Sequence, residues 1–453
     1  MNRYTPYLQL LKKGIEELDT WRELWGSSEA PVPDPDRMFS ALEPFLERLK
    51  GNYPFHHPAY AGQMLKPPHP AAWLAYTLAM TINPNNHALD GGPPTSEMEK
   101  EAVGMLCNMA GFGKGALGHL TSGGTVANLE ALWIARELHP DKSIASSASA
   151  HYTHERMCRV LKARHITIPE LADGKPDPDS LYRYRNEIGT LVVTLGTTGL
   201  GKVEPLEHLL NLCRELKIRV HVDAAYGGFY KLIAGTDWLH EKHWSSLPEA
   251  DSIVIDPHKH GLQPYGCGCV LFRDPSVTRF YRHDSPYTYF SSEDLHLGEI
   301  SLECSRSGAA AAALWFTFQM LPLTVDGLGS VLISCRKAAL NLAGLLNKSR
   351  RFRLYMEPQL DIVCYFPVTD RLSTGEITAV SKQIFRRGVE DREKPLFVSL
   401  ITISADEFST RHPDIHTDTE EVTILRSVLM KPEHESCTGE LFNRLENLAL
   451  EIQ

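Results

Sequence analysis

Two short runs constrain this chain most: Val220-His-Val-Asp-Ala-Ala-Tyr-Gly-Gly228 and Ser252-Ile-Val-Ile-Asp-Pro-His-Lys-His-Gly261. Each is a β-branched stretch ending in small or polar residues, the pattern of a buried parallel strand releasing into a loop. Open α/β sheets bind ligands at those carboxyl ends. The first run delivers Asp223 there and the second delivers Lys259. Pyridoxal phosphate (PLP) takes a lysine for its Schiff base and a carboxylate for its pyridinium nitrogen. The pair predicts a PLP enzyme.

Repetition of the strand pattern sets the fold class. Thr190-Leu-Val-Val-Thr-Leu195 reads as a strand, residues 205–217 as an amphipathic helix, and Arg219-Val-His-Val222 as the next strand. Repeated βαβ units imply a mostly parallel sheet with right-handed crossovers. We therefore expect a large α/β, PLP-binding domain over residues 91–325. Residues 1–90 should form a helical and extended segment. Tyr7, Leu8, Leu10, Leu11, Ile15 and Leu18 start a helix there, and stretches 51–60 and 82–87 carry Pro and Asn turn signals. An Ala/Leu-rich helix is predicted near 307–320, with a break at Pro322, Gly327 and Gly329. Helix, strands over 360–366 and 396–404, and a final helix predict a small C-terminal α+β domain over 326–453.

Composition removes several function classes. At 453 residues the chain can bury a substantial core in two or more domains. Its net charge of −10 offers no basic field for nucleic acid or an acidic membrane surface. The start, Met-Asn-Arg-Tyr-Thr-Pro, has no apolar signal core, and no long apolar run follows; a cytoplasmic location is the expectation. Nine cysteines, an odd number, give no reason to expect a disulfide framework. Cys267-Gly-Cys269 matches neither zinc nor redox spacing and reads as buried core. His56-His57 and His258/His260 lack accompanying ligands at helical spacing, so no metal site is expected.

Other segments could complete a cofactor site. In Leu120-Thr-Ser-Gly-Gly-Thr-Val-Ala-Asn-Leu129 two glycines let backbone approach an anion, Thr125 adds a hydroxyl, and a helix follows. Free N–H groups and the dipole at that helix start favour phosphate. An ordinary N-cap is the other reading of the same residues. In Ser149-Ala-His-Tyr-Thr-His-Glu-Arg156, His151 follows a small-residue loop, and its imidazole could stack on a ring. His154 falls where a helix should have begun. A capping or solvent-facing histidine is the alternative.

With these residues in place, the chain resembles the group II PLP-dependent amino-acid decarboxylases. The matching stretches are Thr121-Ser-Gly-Gly-Thr125, Ala150-His-Tyr-Thr-His154, Thr194-Leu-Gly-Thr-Thr198, His221-Val-Asp-Ala-Ala-Tyr226 and Asp256-Pro-His-Lys259, in the family's order over roughly residues 50–320. The resemblance implies a PLP-dependent transferase of fold type I, the aspartate-aminotransferase type, working as a homodimer with active sites at the subunit interface. It implies Lys259 as the Schiff-base lysine, Asp223 at the pyridine nitrogen, and Ala225 under the ring opposite His151. Gly124, Thr125 and His258 would hold the phosphate, and Thr197 would touch the cofactor from the neighbouring strand end. Animal aromatic-amino-acid decarboxylases carry Asn where this chain has Asp256. A carboxylate repels phosphate, so Asp256 should point elsewhere or be screened. The absence of long extensions fits a compact prokaryotic type.

The implied reaction releases the α-carboxylate as CO2 and protonates Cα, a step the family gives to a loop tyrosine of the partner subunit. Arg282-His-Asp-Ser-Pro-Tyr-Thr-Tyr-Phe290 sits where that loop belongs, with Tyr289 the better match and Tyr287 beside it. An interface aromatic is the other reading. Arg306 could clamp a substrate carboxylate bidentately, or pair with Glu303 or Glu299. Tyr53, Phe55, His57, Tyr60 and Gln63 lie in a segment that borders the family's substrate pocket, and suit an aromatic substrate. Lys66, Arg282 and Arg306 would suit an acidic one. Aromatic or acidic L-amino acids are favoured over lysine or ornithine. An aminotransferase or aldehyde lyase on the same scaffold is the alternative, and a non-catalytic PLP-binding protein a third.

Overall fold

The two β-branched runs become the middle of a seven-stranded sheet. The structure is a computed structural model that describes residues 3–26, 34–113, 115–282 and 301–452. The large sheet contains β1 (Leu117–Thr121), β2 (Ser143–Ser147), β3 (His165–Ile168), β4 (Ile188–Thr194), β5 (Arg219–Asp223), β6 (Ser252–Ile255) and β7 (Gly268–Phe272), in the order β1-β7-β6-β5-β4-β2-β3. Strand β7 runs antiparallel to both its neighbours, and every other pairing is parallel. The predicted βαβ unit is β4, helix Leu206–Leu216 and β5, paired from Thr190↔Arg219 to Thr194↔Asp223. All seven residues of β4 are buried, as a strand covered on both faces requires.

The Ala/Leu-rich helix is Gly308–Met320, packed between helices Pro70–Met80 and Pro93–Ala110. A second, wholly antiparallel sheet holds β8 (Phe352–Leu354), β9 (Ile362–Pro367), β10 (Ser399–Ser404) and β11 (Glu421–Val428), ordered β10-β11-β9-β8. Helices Leu328–Lys348, Thr374–Glu390 and His434–Ile452 pack around it, closing a separate core of Leu342, Phe352, Tyr365, Leu425 and Leu445. Among the described residues no helix is long and apolar enough to cross a membrane.

Two buried cations tie these layers together through backbone carbonyls. Arg426 of β11 donates to the carbonyls of Thr198 (2.7 Å), Gly199 (2.8 Å) and Gly62 (3.2 Å), and to Ser399 Oγ (3.1 Å). Lys431 Nζ donates to the carbonyls of Phe55, His57 and Tyr60. The chain before residue 63 is thereby fastened to the second sheet, where Tyr60 also bridges Phe397.

The ends of β2 and β4 are held by Glu204. Its carboxylate accepts from Ser147 Oγ and from the Thr194 N–H at 2.7 Å, fully inside the protein. Burial pushes its pKa up to about 7, against the pull of those hydrogen bonds. A carboxyl group raised on folding contributes stability that is complete below its unfolded value and is lost as pH rises through the folded value. Stability should therefore fall between about pH 4.5 and pH 7. Glutamine satisfies both partners without ionising, so Glu204→Gln should flatten that slope and leave the variant about 3 kcal/mol more stable than the parent at pH 7.5. Urea denaturation across this range tests it; parallel slopes for the two chains would refute the assignment.

Candidate active site

Adjacent parallel strands bring the acid and the lysine to one sheet edge. β5 and β6 pair through Asp223↔Val254, and the turn after Ile255 carries Asp256 to Lys259. A cavity of about 310 Å³ opens there. It is lined by Ser122, Gly124 and Thr125 from the start of helix Gly124–Leu138, by His151 and Thr153, by Thr194 at the end of β4 and by Thr198 beyond it. Asp223, Ala225, Tyr226, Asp256, His258 and Lys259 complete it.

Asp223 is almost fully enclosed. Its Oδ2 lies 2.9 Å from His154 Nε2, and its Oδ1 accepts the Ala225 N–H at 3.1 Å. Burial opposes its charge, but the His154 hydrogen bond and the nearby His154 and Lys259 outweigh it and hold the carboxyl well below the usual carboxylate range. His151 has Nδ1 2.5 Å from Thr153 Oγ1, and burial draws its pKa down, with Lys259 adding to the fall and Asp223 opposing it. His258 Nδ1 lies 2.8 Å from the Cys267 carbonyl, which can only accept, so Nδ1 carries the hydrogen. Its Nε2 then faces Asp256 Oδ2 at 3.5 Å.

These residues fit PLP. At the start of helix Gly124–Leu138 the N–H groups of Val126 and Ala127 both bond the Gly123 carbonyl at 3.1 Å, which leaves those of Gly124 and Thr125 to suit an anion. Gly124 closes against the lysine turn so tightly that a Cβ there would stand 2.5 Å from Asp256 Oδ2. Asp256 Oδ1 is a buried acceptor with no hydrogen-bond partner. Oδ2 of the same residue is 3.1 Å from Lys259 Nζ. Asp256 therefore faces the cavity rather than away from it, and Lys259 supplies its screening.

Several expected residues stand elsewhere. Thr197 does not line the cavity: its hydroxyl accepts the Lys202 N–H at 3.0 Å, and Thr198 takes the cavity-facing place. The expectation of Arg306 as a substrate clamp also needs correction, as does its pairing with Glu303; Glu299 lies outside the described residues. Its guanidinium meets Glu99 Oε1 at 2.5 Å and the carbonyls of Leu120 and Asn86 at 3.0 and 2.7 Å. Glu303 instead accepts the Ser122 N–H. Tyr60 is buried in a ring cluster with Tyr53, Phe55 and Phe397, and His57 lines a groove beside helix His434–Ile452; neither borders this cavity. Tyr287 and Tyr289 lie outside the described residues. Cys267 and Cys269 are buried.

Three features escaped the sequence reading. Tyr226 lines the cavity and donates to Asp361 Oδ1 at 2.6 Å, while His260 Nε2 meets Asp361 Oδ2 at 3.0 Å. The Tyr226 position was visible in the Asp-Ala-Ala-Tyr motif, but its partner comes from a segment 135 residues away. Ser122 and Asn128 also reach the cavity from the cradle segment. Among the described residues no cluster of three or more His, Cys, Asp or Glu could hold a metal ion.

The family model described as the pyridoxal-dependent decarboxylase conserved domain matches residues 54–367. The L-tyrosine decarboxylase of Enterococcus faecium is 27% identical over 84% of this chain and 82% of its own length. A Methanothermobacter thermautotrophicus protein named "Probable L-tyrosine/L-aspartate decarboxylase" is 32% identical over 67% of this chain and 82% of its own. The crystal structure of Oryza sativa TDC with PLP and tryptamine superposes with a TM-score of 0.79 at 17% identity, covering all of this chain and 99% of the other. The chain thus belongs to the pyridoxal-dependent decarboxylase family, as a PLP-dependent amino-acid decarboxylase.

Proposed function

We propose that the enzyme decarboxylates an aromatic L-amino acid, within a homodimer, at the cavity between His151 and Lys259. The observation that carries the aromatic preference is the cavity's charge. Two carboxylates, Asp223 and Asp256, face it, and among its described lining residues Lys259 is the only Lys or Arg. Of the three cations that suited an acidic substrate, Arg306 is held by Glu99, Lys66 donates to the Met430 carbonyl, and Arg282 is absent from the lining. A second carboxylate on the substrate would meet repulsion there. Aspartate is the second reading, because one relative's name pairs tyrosine with aspartate.

When bound, PLP supplies an electron sink for the pair left as the Cα–carboxylate bond breaks. The chain's own residues do the rest. Lys259 Nζ would carry the covalent link and, while unlinked, is held by Asp256 Oδ2 at 3.1 Å. Asp223 would present a negative charge to the pyridine nitrogen. Ser122, Gly124 and Thr125 would hold the phosphate at a helix start. His151 and Ala225 would confine the ring, and the walls would displace water around the substrate carboxylate. Tyr289, or Tyr287, donates the proton to Cα.

What supports a homodimer is the helix Pro35–Lys50, which has no buried residue. Met38, Phe39, Leu42, Phe45, Leu46 and Leu49 form an apolar stripe along it, with Phe39 73% exposed. A stripe of that size calls for a partner surface.

Two outcomes are expected. Purified enzyme with PLP should release CO2 from tyrosine, phenylalanine or tryptophan without keto acid, at a kcat/KM about tenfold or more above aspartate. Keto acid without CO2 would refute decarboxylation, and a reversed preference would refute the aromatic reading. Lys259→Ala should lose the visible band of bound cofactor and about a thousandfold or more of the rate. Separately, Phe39→Ser with Phe45→Ser should convert a dimer to monomers in analytical ultracentrifugation. A wild type that sediments as a monomer would refute the dimer.

A further inference from the structure

Beneath the candidate cofactor site lies a histidine that the reaction as read above does not use. His154 sits in the first turn of helix Thr153–Val160 and is fully buried. Its Nε2 is 2.9 Å from Asp223 Oδ2. Its Nδ1 is buried with no hydrogen-bond partner. The two ring nitrogens are distinct, and the bond one makes fixes where the hydrogen sits. A carboxylate oxygen can only accept, so the Nε2 that faces Asp223 carries a hydrogen. The geometry therefore makes His154 a donor to Asp223.

Asp223 needs such a donor. An enclosed carboxylate tends to take up a proton, because burial penalises its charge. A protonated Asp223 could not hold a charged pyridine nitrogen, and the cofactor would lose its strength as an electron sink. The Ala225 N–H serves one oxygen only. His221, on the same strand, is already committed, with Nδ1 2.9 Å from Ser252 Oγ and Nε2 2.9 Å from Asn128 Oδ1. One turn of chain divides the work: His151 and Thr153 face the cavity, while His154 reaches Asp223.

We propose that His154 is a positioning residue, whose Nε2–H holds Asp223 ionised and correctly turned toward the pyridine nitrogen of bound PLP. The proposal rests on the reading of Asp223 as the cofactor's partner. It acts through Asp223, so it should be visible in cofactor binding before any turnover.

The test titrates PLP into apoproteins of the wild type, His154→Leu and His154→Gln. Quenching of tryptophan fluorescence reports affinity, the absorbance of bound cofactor reports its electronic state, and melting of each apoprotein is measured alongside. Leucine should weaken PLP binding about tenfold or more, the scale of one lost hydrogen bond to a charged group. It should also shift the cofactor band and lower kcat more than it raises KM. Glutamine, whose amide can donate to Asp223, should restore affinity to within about threefold. A merely structural histidine would lower the melting temperature while leaving affinity and band unchanged, and that result overturns the proposal. Should the leucine variant not fold, His154→Asn, too short to reach Asp223, is compared with His154→Gln, and equal affinities overturn it. Asp223→Asn separates the two levels. If that variant binds PLP as the wild type does, the reading of Asp223 fails and this proposal with it; if Asp223 matters and His154 does not, this proposal alone fails.

Discussion

Charge buried at the carboxyl ends of β5 and β6 is the constraint on which the rest of this molecule depends. Asp223, Asp256 and Asp361 are 7%, 2% and 0% exposed, and a carboxylate taken out of water must be paired or hydrogen-bonded. Each has a dedicated partner: His154 for Asp223, Lys259 for Asp256, and Tyr226 with His260 for Asp361. Those partners come from a helix start, a strand-end turn and the β5 exit. Placing them correctly fixes how the helices sit on the sheet. Glycine at position 124 follows from the same demand, because the helix start must close directly over Asp256.

The second sheet takes part in the site through its buried cations. Arg426 grips the carbonyls of Thr198 and Gly199, the loop whose Thr198 lines the cavity. Asp361, just before β9, reaches Tyr226 in the cavity wall and His260 next to the reactive lysine. Carbonyls solvate Lys431 so sparingly that burial draws its pKa down to about 7, yet its three contacts anchor residues 55–60 against β11's exit. The small sheet is therefore a wall support, and changes there should be felt at Lys259. Such long-range ties, unlike the strands themselves, leave little trace in local sequence.

That difference explains what could be read in advance. The unit from β4 through helix Leu206–Leu216 to β5 was legible because strand and helix periods alternate cleanly there. The reversal of β7 was not read, although it could have been. Parallel neighbours need a crossover of a dozen or more residues, usually helical, and residues 256–267 contain no helix. Thr197 was misplaced. The resemblance alone assigned it; the chain turns at Gly196, whose φ is +92°, and Thr198 lines the cavity. Tyr60 and His57 were placed by the segment's resemblance and its aromatic content, neither of which says which cavity a side chain borders. His154 was noticed only as a residue at a helix start. Nothing local tells a capping histidine from one that meets an aspartate 69 residues away.

Arg306 bears most directly on the choice between reactions. In a PLP site the bond held perpendicular to the ring system is the one that breaks, so a clamp holding the α-carboxylate in the ring plane favours proton removal and transamination. Arg306 was the residue from which such a clamp could be imagined. Its guanidinium instead meets Glu99 and two backbone carbonyls, fixing Asn86 and the end of β1 to the start of helix Gly308–Met320. Glu99 is itself buried and also accepts the Leu120 N–H and the Asn86 side-chain amide. Releasing the arginine would leave a buried carboxylate without its cation, a strongly unfavourable exchange. With that clamp engaged in the scaffold, the described cavity contains no arginine to hold the carboxylate in plane.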